Sequence, residues 1–218
     1  ASSTSSAGAA SLFSSSGWGN PEAAAAAKRP GAPVKSMAPA RTLSAPAATP
    51  RAPVNSGACE QEIQAAAAKY GVPVGILYSV GLTETGRKGS LSPLAMNIEG
   101  KAHFAASLSE AMTTFAAAKS RGAKLIDMGC MQINHHFHSE HFASAQEMFN
   151  PKRNVEYAAK FLKALHDRHD TWTMAVARYH AGPNNDPAQK RYVCRVIANM
   201  VATGYGSWTT NASQFCHA

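Results

Sequence analysis

The stretch Pro73-Val74-Gly75-Ile76-Leu77-Tyr78-Ser79-Val80-Gly81-Leu82-Thr83-Glu84-Thr85-Gly86 is apolar almost to its end, where it meets a carboxyl group. Pro73 suits the opening of a helix, and Val74, Leu77, Tyr78, Gly81 and Leu82 recur at helical spacing. Glu84 therefore stands where an apolar helix runs into a glycine-rich turn. A carboxyl group half removed from water there is expected to hold its proton more tightly, because desolvation disfavours the ionised form. A carboxylic acid still protonated near neutral pH can protonate a leaving oxygen. The plain alternative is a surface glutamate near a helix end.

Outward from this stretch the chain from Cys59 reads as mostly helical. Glu60–Tyr70 is a helix stopped by Gly71. Ser107-Leu108-Ser109-Glu110 is a capping box before an Ala-rich helix that ends at Gly122. Asn150-Pro151 opens a helix carrying Val155, Ala158, Ala159, Leu162 and Leu165, and Thr171 caps a shorter one reaching Ala181. Asp186-Pro187 opens a last long helix ended by Gly204. Leu94–Phe104 and Lys124–Asn134 read as short extended pieces. The fold class expected is α+β, mostly α-helical, with about six helices and a small β element.

Two further stretches carry candidate chemistry. In Asp127-Met128-Gly129-Cys130-Met131-Gln132-Ile133-Asn134, the glycine permits close approach of a ligand or another backbone. The alternation of Gln132 and Asn134 with Met131 and Ile133 puts both amides on one face, where they can bond sugar hydroxyl and N-acetyl groups. A solvated edge strand is the alternative. In Ala177-Arg178-Tyr179-His180-Ala181-Gly182-Pro183, a phenol arrives beside a tight turn, and Tyr192 follows on the next helix. A phenol can donate to a carboxylate and hold its orientation, although buried tyrosines also simply fill a core.

Taken in order, Glu84-Thr85, Gly129-Cys130-Met131-Gln132, Asn150-Pro151, Tyr179-His180-Ala181-Gly182-Pro183 and Tyr192-Val193 resemble the motifs of the soluble lytic transglycosylases, which share the lysozyme-like fold. The resemblance spans about residues 59–208. It implies a domain with its β element beside a cleft and a peptidoglycan glycan strand as substrate. It makes Glu84 the single general acid and base. By the same resemblance Thr85, Met131, Gln132, Asn134, Tyr179, His180 and Tyr192 contact substrate or orient the carboxyl group. Three positions depart from the family pattern: Thr85 stands for Ser, Cys130 for Leu and His180 for Asn. The long interval from Glu84 to Gly129 holds the helix expected at 107–121. Asp127, in Asp-x-Gly-x-x-Gln-Ile-Asn, also matches the strand that bears the second carboxylate of c-type lysozymes. A Glu and Asp pair would permit hydrolysis, whereas a lone Glu suits attack by the muramic acid 6-hydroxyl. Asp127 as a turn-capping residue is the third option. A tailed domain of this size also resembles the muralytic enzymes serving flagella and secretion machines, so a rod or secretion-system component is an expected partner by analogy.

The 218 residues carry 21 Lys and Arg against 13 Asp and Glu, a net charge of +8 that suits an anionic partner. Nucleic acid is disfavoured, since no aromatic-basic motif or helix-turn-helix signature is present. A catalytically silent wall-binding module is the rival from another class. No apolar run reaches membrane-spanning length. Residues 1–55 differ in kind: Ala, Ser, Pro and Gly supply 37 of the 55 positions, too little apolar surface to offset chain entropy. They are read as a disordered tail or linker, and residues 56–218 as the folded domain. The chain is expected to be a monomer, periplasmic or secreted, with a secretory signal already removed because it starts at Ala1. Four cysteines allow three pairings, and the nested one, Cys59–Cys216 with Cys130–Cys194, is expected. His135, His136, His138 and His141 cluster, but no cysteine or acid completes a ligand set. No metal or cofactor is expected.

Overall fold

The computed structural model describes residues 57–85, 90–181 and 186–217. The expected tail at 1–55 lies outside the described residues, as do Gly86, Gly182 and Pro183.

Helices α1 (Ala58–Tyr70) and α2 (Val74–Thr85) open the domain. Gly71, at φ 66°, takes the left-handed conformation that ends α1. Helix α2 is buried on nearly every side, from Gly75 to Leu82 and again at Thr85. That is how a helix apolar all round behaves in a globular core. The next segment forms strands β1 (Ala95–Ile98) and β2 (Lys101–Phe104), then α3 (Leu108–Ser120), β3 (Ile126–Met128) and β4 (Ile133–Asn134). The strands make one antiparallel sheet in the order β2-β1-β3-β4, with Asn97 opposite Asp127 and Asp127 opposite Asn134. At α3 the Ser107 hydroxyl accepts from the Glu110 N–H, and the Glu110 carboxylate accepts from the Ala106 N–H.

Two short helices follow, α4 (His135–His138) and α5 (Ala145–Met148), in a region where the sequence carries no helical period. Helix α6 (Pro151–His169) starts as expected, with the Asn150 side chain capping the Arg153 N–H. Its buried stripe is Asn154, Val155, Ala158, Ala159, Leu162 and Leu165. Helices α7 (Trp172–Ala181), α8 (Asp186–Ala202) and α9 (Thr210–His217) complete the chain. Helix α8 already includes Asp186, and α9 adds a helix beyond those expected. The core is a helical layer in which α1 packs on α2 and α6, α2 on α8, and α7 on both α6 and α8. The sheet lies at one end of it, beside the last turn of α2. The architecture is lysozyme-like: mostly helical with a small antiparallel sheet.

The nested disulfide pairing is wrong. Cys59 bonds Cys130, and Cys194 bonds Cys216. Cys59 sits in the first turn of α1, and its bridge ties that turn to Cys130 between β3 and β4. Helix α9 folds back on α8, which brings Cys216 to Cys194.

Candidate active site

The last turn of α2 meets the turn 129–132 at very close range. A Cβ on Gly81 would lie 3.1 Å from the Met131 sulfur and 3.3 Å from a Leu91 methyl group, so a larger residue there would require those side chains to shift by a few tenths of an ångström. The turn itself runs through two residues in the left-handed region, Gly129 at φ 82° and Gln132 at φ 48°. Asn154 of α6 fixes it. Its amide N–H groups donate to the Met128 and Met148 carbonyls, and its side-chain oxygen accepts from the Met131 N–H at 2.8 Å. The Tyr179 hydroxyl donates to the Met131 carbonyl from the other side, and the Cys59–Cys130 bridge anchors the turn to α1.

Glu84 projects from the end of α2 between two arms of a groove. The first arm is lined by Leu82, Thr83, Ala102, Phe104, Arg195 and Asn199. The second is lined by Glu99, Leu125, Asp127, Phe137, Tyr179 and His180, among others. Glu84, Asn97 and Gln132 belong to both, so the arms are one continuous trough with the carboxyl group at its middle. Each arm encloses about 400 Å³ or slightly less, within the range of ligand sites.

The Glu84 side chain is only 16% exposed. His180 Nδ1 stands 3.5 Å from one of its oxygens. The imidazole in turn lies flat on the Tyr192 ring, 4.3 Å between centroids and 1° between planes. The Tyr192 hydroxyl is buried without a partner of good hydrogen-bond geometry, and the carboxyl group of Glu84 is its charged neighbour. Burial first, then the charge of Glu84, push the Tyr192 phenol well above its ordinary range. The Tyr179 phenol is raised for the same reasons. Both therefore remain neutral donors at any physiological pH.

Asp127 lies on β3 in the second arm and is half-buried. Its carboxylate accepts from the Asn134 amide at 2.7 Å. Burial raises its pKa, the bond from Asn134 opposes that, and the charge of Glu84 adds to it. The two carboxyl groups thus face one trough.

The residues expected from the sequence come together, with differences in how they are used. Gln132 and Asn134 both line the second arm, but through different local structure. Gln132 lies in the turn rather than the strand, and its amide donates to the Ala95 and Gly129 carbonyls. The Asn134 amide is taken by Asp127, and its oxygen caps α4 by accepting from the His136 N–H. Thr85 borders the first arm, with its hydroxyl donating to the Gly81 carbonyl. Met131, expected on the groove wall, is fully buried. Its side chain packs on Gly81, and its backbone serves the turn. Tyr192 is likewise fully buried and lines neither arm; it backs Glu84 and His180. The sequence reading missed Asn154. A polar residue on the apolar stripe of α6 was the available signal. It also missed Asn97, Arg195 and Asn199, exposed or half-exposed side chains without any sequence signature.

Among the described residues, no three His, Cys, Asp or Glu side chains are grouped to hold a metal ion. In the expected cluster, His138 bonds the Tyr157 hydroxyl at 2.8 Å and His141 stacks on the Tyr157 ring.

A buried helix ending in a half-desolvated carboxyl group, set in a trough between a small sheet and a helical layer, is the arrangement of a lysozyme-like domain. The family described as Transglycosylase SLT domain matches residues 61–198. That is well over half of the chain, and the protein belongs to this family of peptidoglycan-cleaving transglycosylases. No curated protein and no solved structure matches the chain.

Proposed function

We propose that the protein cleaves the β-1,4 bond between N-acetylmuramic acid and N-acetylglucosamine, with Glu84 as both acid and base, and releases a 1,6-anhydro-muramic end. The observation that carries this reading is the position of Glu84, shielded from water at the meeting point of the two arms. Glu84 gives its proton to the glycosidic oxygen as the C1–O bond breaks, and the N-acetylglucosamine leaves with a new hydroxyl. The muramic 6-hydroxyl then closes on C1 and returns its proton to Glu84, so the enzyme ends as it began. His180 beside one oxygen and Tyr192 behind it hold the carboxyl group in place. Glu84→Gln keeps the shape and removes the proton. Turnover of purified wall is expected to fall at least 1000-fold, on the order of 4 kcal/mol of barrier. Retained turnover would remove Glu84 from the mechanism, whereas an unmodified chain that cuts no wall would leave the silent wall-binding module.

The shared trough favours one second reading, hydrolysis assisted by Asp127. Asp127→Asn separates the two. On the transglycosylase reading it costs only a few-fold in kcat/KM, whereas a second carboxylate would make it comparable to Glu84→Gln.

The two disulfides fit a periplasmic or secreted enzyme, and no helix among the described residues is long and apolar enough to cross a membrane. Residues 56–218 are the unit that acts, as a monomer. The segment before them, with five Lys and Arg against one Glu, is an inert spacer or an electrostatic tether to the wall.

A further inference from the structure

The two arms of the trough differ in charge. Besides Glu84 at the centre, the second arm carries the carboxylates of Glu99 and Asp127. Among the described residues the first arm carries no other acid, and Arg195 is the one Lys or Arg that lines either arm. Arg195 is exposed on α8, one turn beyond Tyr192, with its guanidinium 5.8 Å from the centre of that ring. No acidic side chain among the described residues pairs with it. Its neighbours at helical spacing are Arg191, Tyr192, Ala198 and Asn199. A second cation at i−4 is mildly unfavourable in a helix, and the middle of α8 gains nothing from the helix dipole. Helix stability therefore gives no reason for a cation at this position. On the trough side, Ala198 and Asn199 flank it on α8, and Ala102 and Phe104 face the same arm from β2. The small alanines leave the guanidinium open to whatever occupies the arm.

We propose that Arg195 is an anion-binding residue of the trough and holds a carboxylate on the 3-O-lactyl branch of a muramic acid unit. This deepens the cleavage reading and rests on peptidoglycan as the substrate. The lactyl group ends in a free carboxylate when bare and carries a peptide with its own carboxylates when substituted. A planar guanidinium fork matches either one with two parallel hydrogen bonds. Glu99 and Asp127 repel the same group from the second arm, so the charge pattern also fixes which way the branched sugar faces.

The test measures binding in the Glu84→Gln full chain, so that it does not depend on cleavage. Three probes are used: peptide-bearing strands, strands stripped of peptide by an amidase, and uncharged chitin oligosaccharides. Adding Arg195→Gln is expected to weaken binding of an anionic strand about tenfold, the scale of one charge-assisted hydrogen bond, and to reduce its salt dependence. Arg195→Lys recovers part of the loss, and chitin binding stays within twofold. Loss confined to stripped strands identifies the lactyl carboxylate, and loss confined to peptide-bearing strands identifies the peptide. Equal weakening on chitin, or no weakening on either anionic strand, overturns the proposal. If the discrimination holds but the unmodified chain cuts no wall, the anion site stands and the cleavage reading falls.

Discussion

Asn154 uses both ends of its amide to hold the turn that faces Glu84, and it is completely buried. Removing it strands the Met131 N–H and two carbonyls away from water. Asn154→Ala is expected to cost about 3 kcal/mol or more in chemical denaturation. Gly129 depends on the same side chain. A Cβ there would lie 2.4 Å from the Asn154 amide nitrogen and 2.6 Å from the Met148 carbonyl, on a backbone at φ 82°. Gly129→Ala is therefore expected to destabilise at least as much, and a variant of unchanged stability would show that the turn can open. At this scale the sequence was readable where the signal was local. Glu84 at the end of an apolar helix and Gly129 in a short extended piece both announce themselves. Asn154 does not, because its partners lie 23 and 26 positions away or are backbone atoms of another segment. Met131 was misplaced for a different reason. Its place on the groove wall came from the family resemblance, whereas in this chain its side chain is spent on packing against Gly81.

Helices α4 and α6 meet through side chains that titrate. His138 Nδ1 and the Tyr157 hydroxyl share a hydrogen bond, which a neutral imidazole accepts. Burial, and then His141, lower the His138 pKa; burial and Lys119 lower that of His135. Groups lowered in the fold contribute stability that is present above their unfolded pKa, about 6.5, and is lost as pH falls through the folded value. The denaturation midpoint is thus expected to drop below about pH 6.5, and His138→Gln to flatten part of that slope. Tyr157 acts at the other end. Burial pushes its phenol up to about 12, so its contribution is complete below about pH 10 and fades as pH rises through the folded value. Tyr78, Tyr179 and Tyr192 are raised as well. Tyr157→Phe should therefore reduce the alkaline slope without abolishing it. Identical slopes in both variants would contradict the burial of this pair. The long elements were legible because their caps are local chemistry: Ser107, Asn150 and Thr171 each accept from a backbone N–H three residues on. The short helices α4 and α5 were not, since four residues carry no period and are held by packing from α3 and α6.

Across the whole molecule the two disulfides divide the work. Cys59–Cys130 closes 71 residues and ties α1 to the active-site turn, while Cys194–Cys216 closes 22 and ties α9 to α8. Loop-closure entropy alone gives about 4 kcal/mol for the first and about 3 for the second. Replacing the first pair with Ala is expected to lower both stability and wall cleavage. Replacing the second should lower stability and leave kcat/KM within about twofold. The pairing was not readable from the chain, because it depends on which helices pack together, and the sequence offers only spacing. The lysozyme-like class was readable, since five motifs in a fixed order reflect one tertiary arrangement. The central claim is that a single carboxyl group gives and takes the proton while the sugar's own hydroxyl attacks. Mass spectrometry of wall fragments released by the full chain tests it most directly. Muramic ends lighter by one water than a reducing end are expected, and they are absent when Glu84 is replaced by Gln. Reducing ends as the main product, or anhydro ends undiminished in that variant, would contradict it.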